Sequence, residues 1–169
     1  KTIFRDKVTF AYENLPRSLR EAMPLSRDSA SELLFAHNNS SIRVATSARS
    51  GTLQYLHISE FGKICAKFPE RADEVITGSI PAVPTNGMVF IESTAEGQEG
   101  HFYKISKRAE DLMHSGKKLN TKDYKFHFYP WHGESKYKTN PDDVVITPKD
   151  NIYFDKIEGE ANCSISIEQ

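Results

Sequence analysis

Two apolar runs in this chain each end in polar residues: Leu53-Gln54-Tyr55-Leu56-His57-Ile58-Ser59-Glu60 and Met88-Val89-Phe90-Ile91-Glu92-Ser93-Thr94-Ala95-Glu96-Gly97. Short, near-continuous apolar runs read as buried strands of a parallel sheet. Between them, Pro69 suits a first helical position, and Ala72, Val75, Ile76 and Ile80 fall on one helical face before Pro81 stops the helix. Thr85-Asn86-Gly87 then turns the chain into the second run. After Gly100, the residues Phe102, Ile105, Ala109, Leu112 and Met113 make another helical stripe, ending near Ser115-Gly116. Strand, helix, strand, helix predicts a parallel sheet with crossovers, whose ligands sit outside the carboxyl ends of the strands. Two such ends, Ser59-Glu60 and Glu92-Ser93-Thr94, therefore suggest one shared site.

The flanking pattern is less regular. Phe4, Val8, Ala11, Tyr12 and Leu15 recur at helical spacing, and Pro16 closes that helix by pushing its predecessor out of the α region. A short second helical turn runs from Pro16 towards Ala22. Glu32 to His37 and Ser41 to Thr46 read as two strands joined through Asn38-Asn39, residues that tolerate the positive φ of a tight turn. Tyr124 to Tyr129 alternates aromatic and polar residues and predicts a further strand ending at Pro130-Trp131. His132 to Asp143 is polar and predicts a surface loop. Thr147-Pro148-Lys149-Asp150 supplies a cap, a proline at the first helical position and an acid at the third, opening a helix with Tyr153, Ile157 and Ala161 on one side.

With 169 residues, a net charge of −1 and ordinary apolar and charged fractions, the chain has the make-up of one soluble α/β domain rather than a protein that coats nucleic acid electrostatically. Any contact with DNA must then be regional. Cys65 and Cys163 are the only cysteines, too far apart in sequence for a CxxC pair, and read as free thiols of a reducing, cytoplasmic compartment. No run approaches membrane-spanning length, and the N-terminus has no signal-peptide character. The chain opens on Lys1 within a helical pattern and stops at Gln169 without a cap, which reads as two cuts in a longer protein.

An acid just past a buried strand, as Glu60 is, stands where a carboxylate can orient or deprotonate a water. Ser59 beside it can bind magnesium or one of its waters, since that hard cation takes oxygen ligands, although it normally wants a carboxylate as well. Ser93 and Thr94 follow Glu60 at the spacing of a βαβ unit and either sense a γ-phosphate or cap the next turn, with Gly97 permitting it. The histidines His37, His57, His101, His114, His127 and His132 have no zinc-ligand arrangement with the cysteines. Lys104, Lys107, Arg108, Lys117, Lys118, Lys122 and Lys125 gather positive charge that serves either DNA phosphates or a solvated helix face. Tyr129 and Trp131 are suited to stacking on bases or to packing a strand end onto the core.

The residues Ala48-Arg49-Ser50-Gly51-Thr52 through Ser59-Glu60-Phe61-Gly62-Lys63, together with Phe90-Ile91-Glu92-Ser93-Thr94-Ala95-Glu96-Gly97, resemble the large terminase subunits of tailed bacteriophages and prophages, the ATPase motors that package DNA into procapsids. The likeness extends more loosely to Phe4-Arg5-Asp6-Lys7-Val8 with Phe10-Ala11-Tyr12, to Phe126-His127-Phe128-Tyr129-Pro130-Trp131 and to Tyr153-Phe154-Asp155-Lys156. It implies an α/β fold with a mostly parallel sheet flanked by helices, a P-loop NTPase core of the RecA/ASCE kind. The first run would then be the Walker B strand, with Glu60 activating the attacking water and Ser59 at the magnesium position. That position more often carries aspartate in the family, so a serine would act on the metal through a water. The second run would be the coupling motif, placing Ser93 and Thr94 between hydrolysis and DNA movement. Arg49 resembles the arginine that some relatives extend into a neighbouring subunit's site, where such a finger raises rates roughly 10³- to 10⁵-fold; a surface arginine positioning its loop is the alternative.

No Gly-x-x-x-x-Gly-Lys-Ser/Thr sequence occurs in the chain, so the Walker A strand and phosphate cradle are missing from it. The resemblance implies that they lie upstream of Lys1 and that an RNase H-like nuclease domain lies downstream, leaving residues 1–169 as a single, partial ATPase domain. Asp142 and Asp143 are then loop acids rather than nuclease ligands. The implied cofactors are ATP and Mg²⁺. The implied partners are double-stranded DNA, the small terminase subunit, the portal protein and further copies of the chain in a ring, all in the bacterial cytoplasm. A non-catalytic prophage remnant or an assembly or DNA-binding module that keeps the fold is the alternative.

Overall fold

The computed structural model describes residues 4–46 and 51–168, and the chain divides into two compact units, residues 1–124 and 125–169. The architecture is mixed α/β.

In the first unit, α1 runs through a wide π-type segment, Arg5–Thr9, into Phe10–Glu13, and α2 spans Arg17–Ala22. The wide turn sets the buried pair Phe4 and Thr9 five residues apart, a spacing that the expected stripe of period 3.6 does not include. Three short strands follow: β1 (Leu25–Asp28), β2 (Glu32–Phe35) and β3 (Ser41–Arg43), antiparallel in the order β1-β2-β3. The β2–β3 hairpin turns as its asparagines predict, with Asn39 at φ 57° and the Asn38 carboxamide oxygen accepting from the Ser40 amide. Its fully buried residue is Leu33, while the Tyr12 ring meets Phe35 edge-on and its hydroxyl donates to the Met23 carbonyl.

The strand β4 (Tyr55–Ile58) pairs in parallel with β5 (Met88–Ile91), in the register Tyr55↔Met88 to Ile58↔Ile91. Parallel pairing among the described residues is confined to these two strands, and the larger sheet is antiparallel. Three helices accompany the pair: α3 (Phe61–Lys67), α4 (Pro69–Glu74), which winds on through Val75–Ser79 and Ile80–Ala82, and α5 (Gly100–His114). Ile58, Phe61 and Ala72 form the buried centre, packed against Leu56, Val89, Ile91, Ile76, Phe102 and Ile105 among others. The stripes read from the sequence on α4 and α5 are the faces that point inward, except that Met113 is exposed and Leu112 lines an open groove on the other side of α5. The strands, by contrast, are buried on one face only. Leu56, Ile58, Val89 and Ile91 point to the helices, whereas Tyr55, Met88 and Phe90 are exposed at 71 %, 52 % and 55 %. The apolar runs therefore read as more deeply buried than they are, because helices cover one side of the pair.

The second unit holds α6 (Pro148–Ala161), opened by a reciprocal cap in which the Thr147 hydroxyl oxygen accepts from the Asp150 amide and the Asp150 carboxylate accepts from the Thr147 amide. Its half-buried face carries Phe154 and Ile157, with Trp131 6.4 Å from the Phe154 ring; Tyr153 and Ala161, expected on that face, are exposed. The strand expected over 124–129 does not form. His127 and Tyr129 do stack in parallel at 6.3 Å, as rings two apart on an extended chain can, but among the described residues no backbone pairs with the segment as a strand. Tyr129, 85 % exposed, does not pack a strand end onto a core.

Candidate functional site

The parallel register brings the two predicted ends side by side. The Glu92 amide donates to the Ile58 carbonyl at 3.0 Å, and the Phe61 amide donates to the Glu92 carbonyl at 3.2 Å. Ser59-Glu60 and Glu92-Ser93-Thr94 thus leave the same edge of one sheet, stitched together by main-chain bonds. Among the described residues, this edge gathers four of the predicted site residues: Glu60, Ser59, Ser93 and Thr94. Arg49 lies outside the described residues.

Glu60 is the residue on which the chain pivots from β4 into α3. Its backbone lies in the left-handed region, φ 56° and ψ 39°, where a side chain with a Cβ is disfavoured by roughly 1–2 kcal/mol. Its side chain is exposed and makes no capping hydrogen bond, so the carboxylate is not consumed in holding the helix. A glutamate at a position that suits glycine or asparagine is strain of the kind that accumulates at functional sites.

The opposite strand end is held by packing. Gly62 is buried, and a Cβ placed on it would lie 2.9 Å from Ser93 Oγ, 3.0 Å from the Thr94 carbonyl oxygen and 3.1 Å from the Phe102 ring. Only a hydrogen at that position lets α3 lie against the Ser93-Thr94 backbone. Ser93 Oγ is itself buried and has no hydrogen-bond partner among the described residues, which leaves its desolvation uncompensated by them. Sequence reasoning missed α3 and the part played by Gly62. The signal was Phe61, Ile64 and Cys65, whose spacing places an apolar face on a helix immediately after Glu60.

Two further contacts frame the edge. His57 Nε2 lies 3.5 Å from Glu92 Oε1, with both side chains largely exposed, and Lys67 Nζ lies 4.0 Å from Glu96 Oε1. Below them, Gly100 at φ 83° starts α5 close over Cys65, and the Phe102 amide donates to Cys65 Sγ at 3.4 Å. His101 Nε2 meets Asp73 Oδ1 at 2.7 Å and ties the start of α5 to α4. Cys65 and Cys163 are both free thiols.

Chemically, the edge offers the Glu60 carboxylate on a fixed backbone, the Ser59 hydroxyl exposed beside it, the Glu92 carboxylate near His57, and the buried Ser93 hydroxyl, unpartnered among the described residues. Among the described residues no group of three or more His, Cys, Asp or Glu side chains could hold a metal ion. The donor set fits magnesium only where phosphate oxygens and waters complete a shell begun by hydroxyls. No helix of the described residues is long and apolar enough to cross a membrane. Comparison of the chain with family models, curated proteins and solved structures returns no match.

Proposed function

We propose that this chain supplies the water-activating and coupling segment of an ATP-hydrolysing motor of the large-terminase kind, one that drives double-stranded viral DNA into a procapsid. The observation that carries the proposal is Glu60. It stands in a left-handed backbone conformation at the carboxyl edge of a parallel pair, beside Ser93 and Thr94, with its side chain exposed and making no capping hydrogen bond. In this role Glu60 orients a water and draws its proton towards Oε, while the rigid β4–α3 junction fixes the direction of attack. Mg²⁺, when bound with ATP, would neutralise charge on the phosphates; Ser59 would reach it through a water. Ser93 and Thr94, packed on Gly62, would report the state of that site to the rest of β5 and α5. On this proposal the phosphate cradle, the nuclease and the contacts to small subunit, portal and ring neighbours come from residues other than those described, and the P-loop NTPase core is completed by them.

The test is hydrolysis by the full-length product of the gene that encodes this chain. Glu60→Gln is expected to lower Mg-ATP turnover by roughly 10²- to 10⁴-fold while nucleotide binding persists, as loss of a positioned base does. Unchanged turnover, or a gene product with no phosphate-binding loop, overturns the proposal. A second reading, a non-catalytic assembly module, is favoured by the uncovered rings of Tyr55 and Phe90 and by serine at the metal position. It requires that full-length protein assemble normally with Glu60→Gln.

A further inference from the structure

The described residues of the first unit carry a feature that the hydrolytic site does not use. Between Gly100 and Tyr124 the sequence has six lysines and arginines against three acids, in a chain whose net charge is −1. An open groove of about 540 Å³ lies there, lined on α5 by Tyr103, Lys104, Lys107, Arg108, Asp111 and Leu112 and beyond its end by Lys117. Arg108 reaches Asp123 at 3.4 Å, and the Asp123 carboxylate, only 7 % exposed, accepts from the Asn120 amide. That contact draws the 117–123 turn, with exposed Lys117, Lys118 and Lys122, against α5.

We infer that this groove is a docking surface for the phosphodiester backbone of duplex DNA. Its cations are not equivalent. Lys107 is already engaged by Glu110 at 2.9 Å and Asp111 at 3.4 Å, and Arg108 by Asp123. These pairs leave Lys104, Lys117, Lys118 and Lys122 without a described ion-pair partner. From Lys104 to the end of α5 the helix runs about 15 Å, and the lysines of the turn continue beyond it, so the charge is spread along a line rather than converged on a point. A compact anion such as a free nucleotide wants convergent donors; a charged backbone wants a line. Duplex is favoured over single strands because the groove presents one aromatic ring, Tyr103, and no platform on which unpaired bases could stack. The surface belongs to α5 and its following turn, so it holds whether or not Glu60 takes part in hydrolysis.

The experiment uses the 169-residue chain and fluorescently labelled duplexes of two unrelated sequences, with anisotropy followed as KCl is raised. Equal affinity for both duplexes is expected, with a slope of log affinity against log salt of roughly −3 to −4, since each phosphate neutralised by an unpaired lysine contributes about 0.9. K104Q/K117Q is expected to weaken binding at low salt by about tenfold or more and to flatten the slope by about two. K136Q/K149Q, which removes equal charge from exposed lysines of the other unit, serves as the comparison. All four substituted positions are exposed, and circular dichroism confirms that each variant is folded. Equal losses in both double variants, no duplex binding at low salt, or tighter binding of single-stranded RNA or inorganic triphosphate each overturns the inference. Because ATP is absent throughout, a negative result here leaves the hydrolysis test of Glu60 unaffected.

Discussion

Glu60 and Gly62 sit two residues apart and obey opposite demands. Glu60 keeps a side chain where the backbone would be more comfortable without one; Gly62 lacks a side chain where one would collide. Glu60→Gly is therefore expected to leave thermal stability unchanged or to raise it by up to about 1 kcal/mol, because relief of left-handed strain outweighs the flexibility glycine adds to the unfolded chain. Urea denaturation measures it, and a clear loss of stability would mean that the carboxylate has a structural partner. Gly62→Ala is expected to cost about 1–3 kcal/mol, because a neighbour that must give way includes the Thr94 carbonyl, which is backbone. The same denaturation series measures that, and an unchanged midpoint would show that α3 can lift from the Ser93-Thr94 segment at no cost. Glu60, Ser59, Ser93 and Thr94 were legible in the sequence because each follows an apolar run. The strain at Glu60 and the closeness at Gly62 were not, since both arise from a turn whose φ and ψ no residue type in it announces.

At the scale of elements, legibility followed local chemistry. The cap at Thr147-Pro148-Lys149-Asp150 and the turn at Asn38-Asn39 are fixed by hydrogen bonds within a few residues, and both form as read. The segment from Tyr124 to Tyr129 has an equally clear period of two yet makes no strand, because a strand needs a partner that its own sequence cannot provide. β1 was missed for the converse reason: Leu25-Ser26-Arg27-Asp28 has little β character and is recruited by β2, through a register shift between Leu25 and Arg27. Thr147→Ala removes one side of the α6 cap and is expected to lower the stability of that helix by about 1 kcal/mol, read from far-ultraviolet circular dichroism during thermal melting. The cap also has a pH dependence. Hydrogen bonds from the Thr147 hydroxyl and amide hold the Asp150 carboxyl below its ordinary value of 3.8. A lowered folded value means that the contribution is present above the ordinary carboxylate range and is lost as pH falls through the folded one. Helix signal should therefore decline below about pH 4 in the native chain and decline less in the Thr147→Ala variant.

For the whole molecule, the sequence foresaw a mixed α/β chain and the parallel pairing of its two apolar runs, but took those runs to be covered on both faces. Periodicity cannot distinguish a strand buried on both sides from one whose outer side also happens to be apolar, as Tyr55, Met88 and Phe90 make it here. The open face has a calorimetric consequence. Heat capacity rises on unfolding in proportion to apolar surface newly wetted, and these side chains are wet already. Scanning calorimetry is therefore expected to give an increment below the usual ~12–15 cal/mol/K per residue, and a shallower dependence of stability on temperature than a fully covered sheet would confer. Whatever molecule comes to cover that face should bind with a negative heat-capacity change, so the missing increment would reappear in the binding reaction.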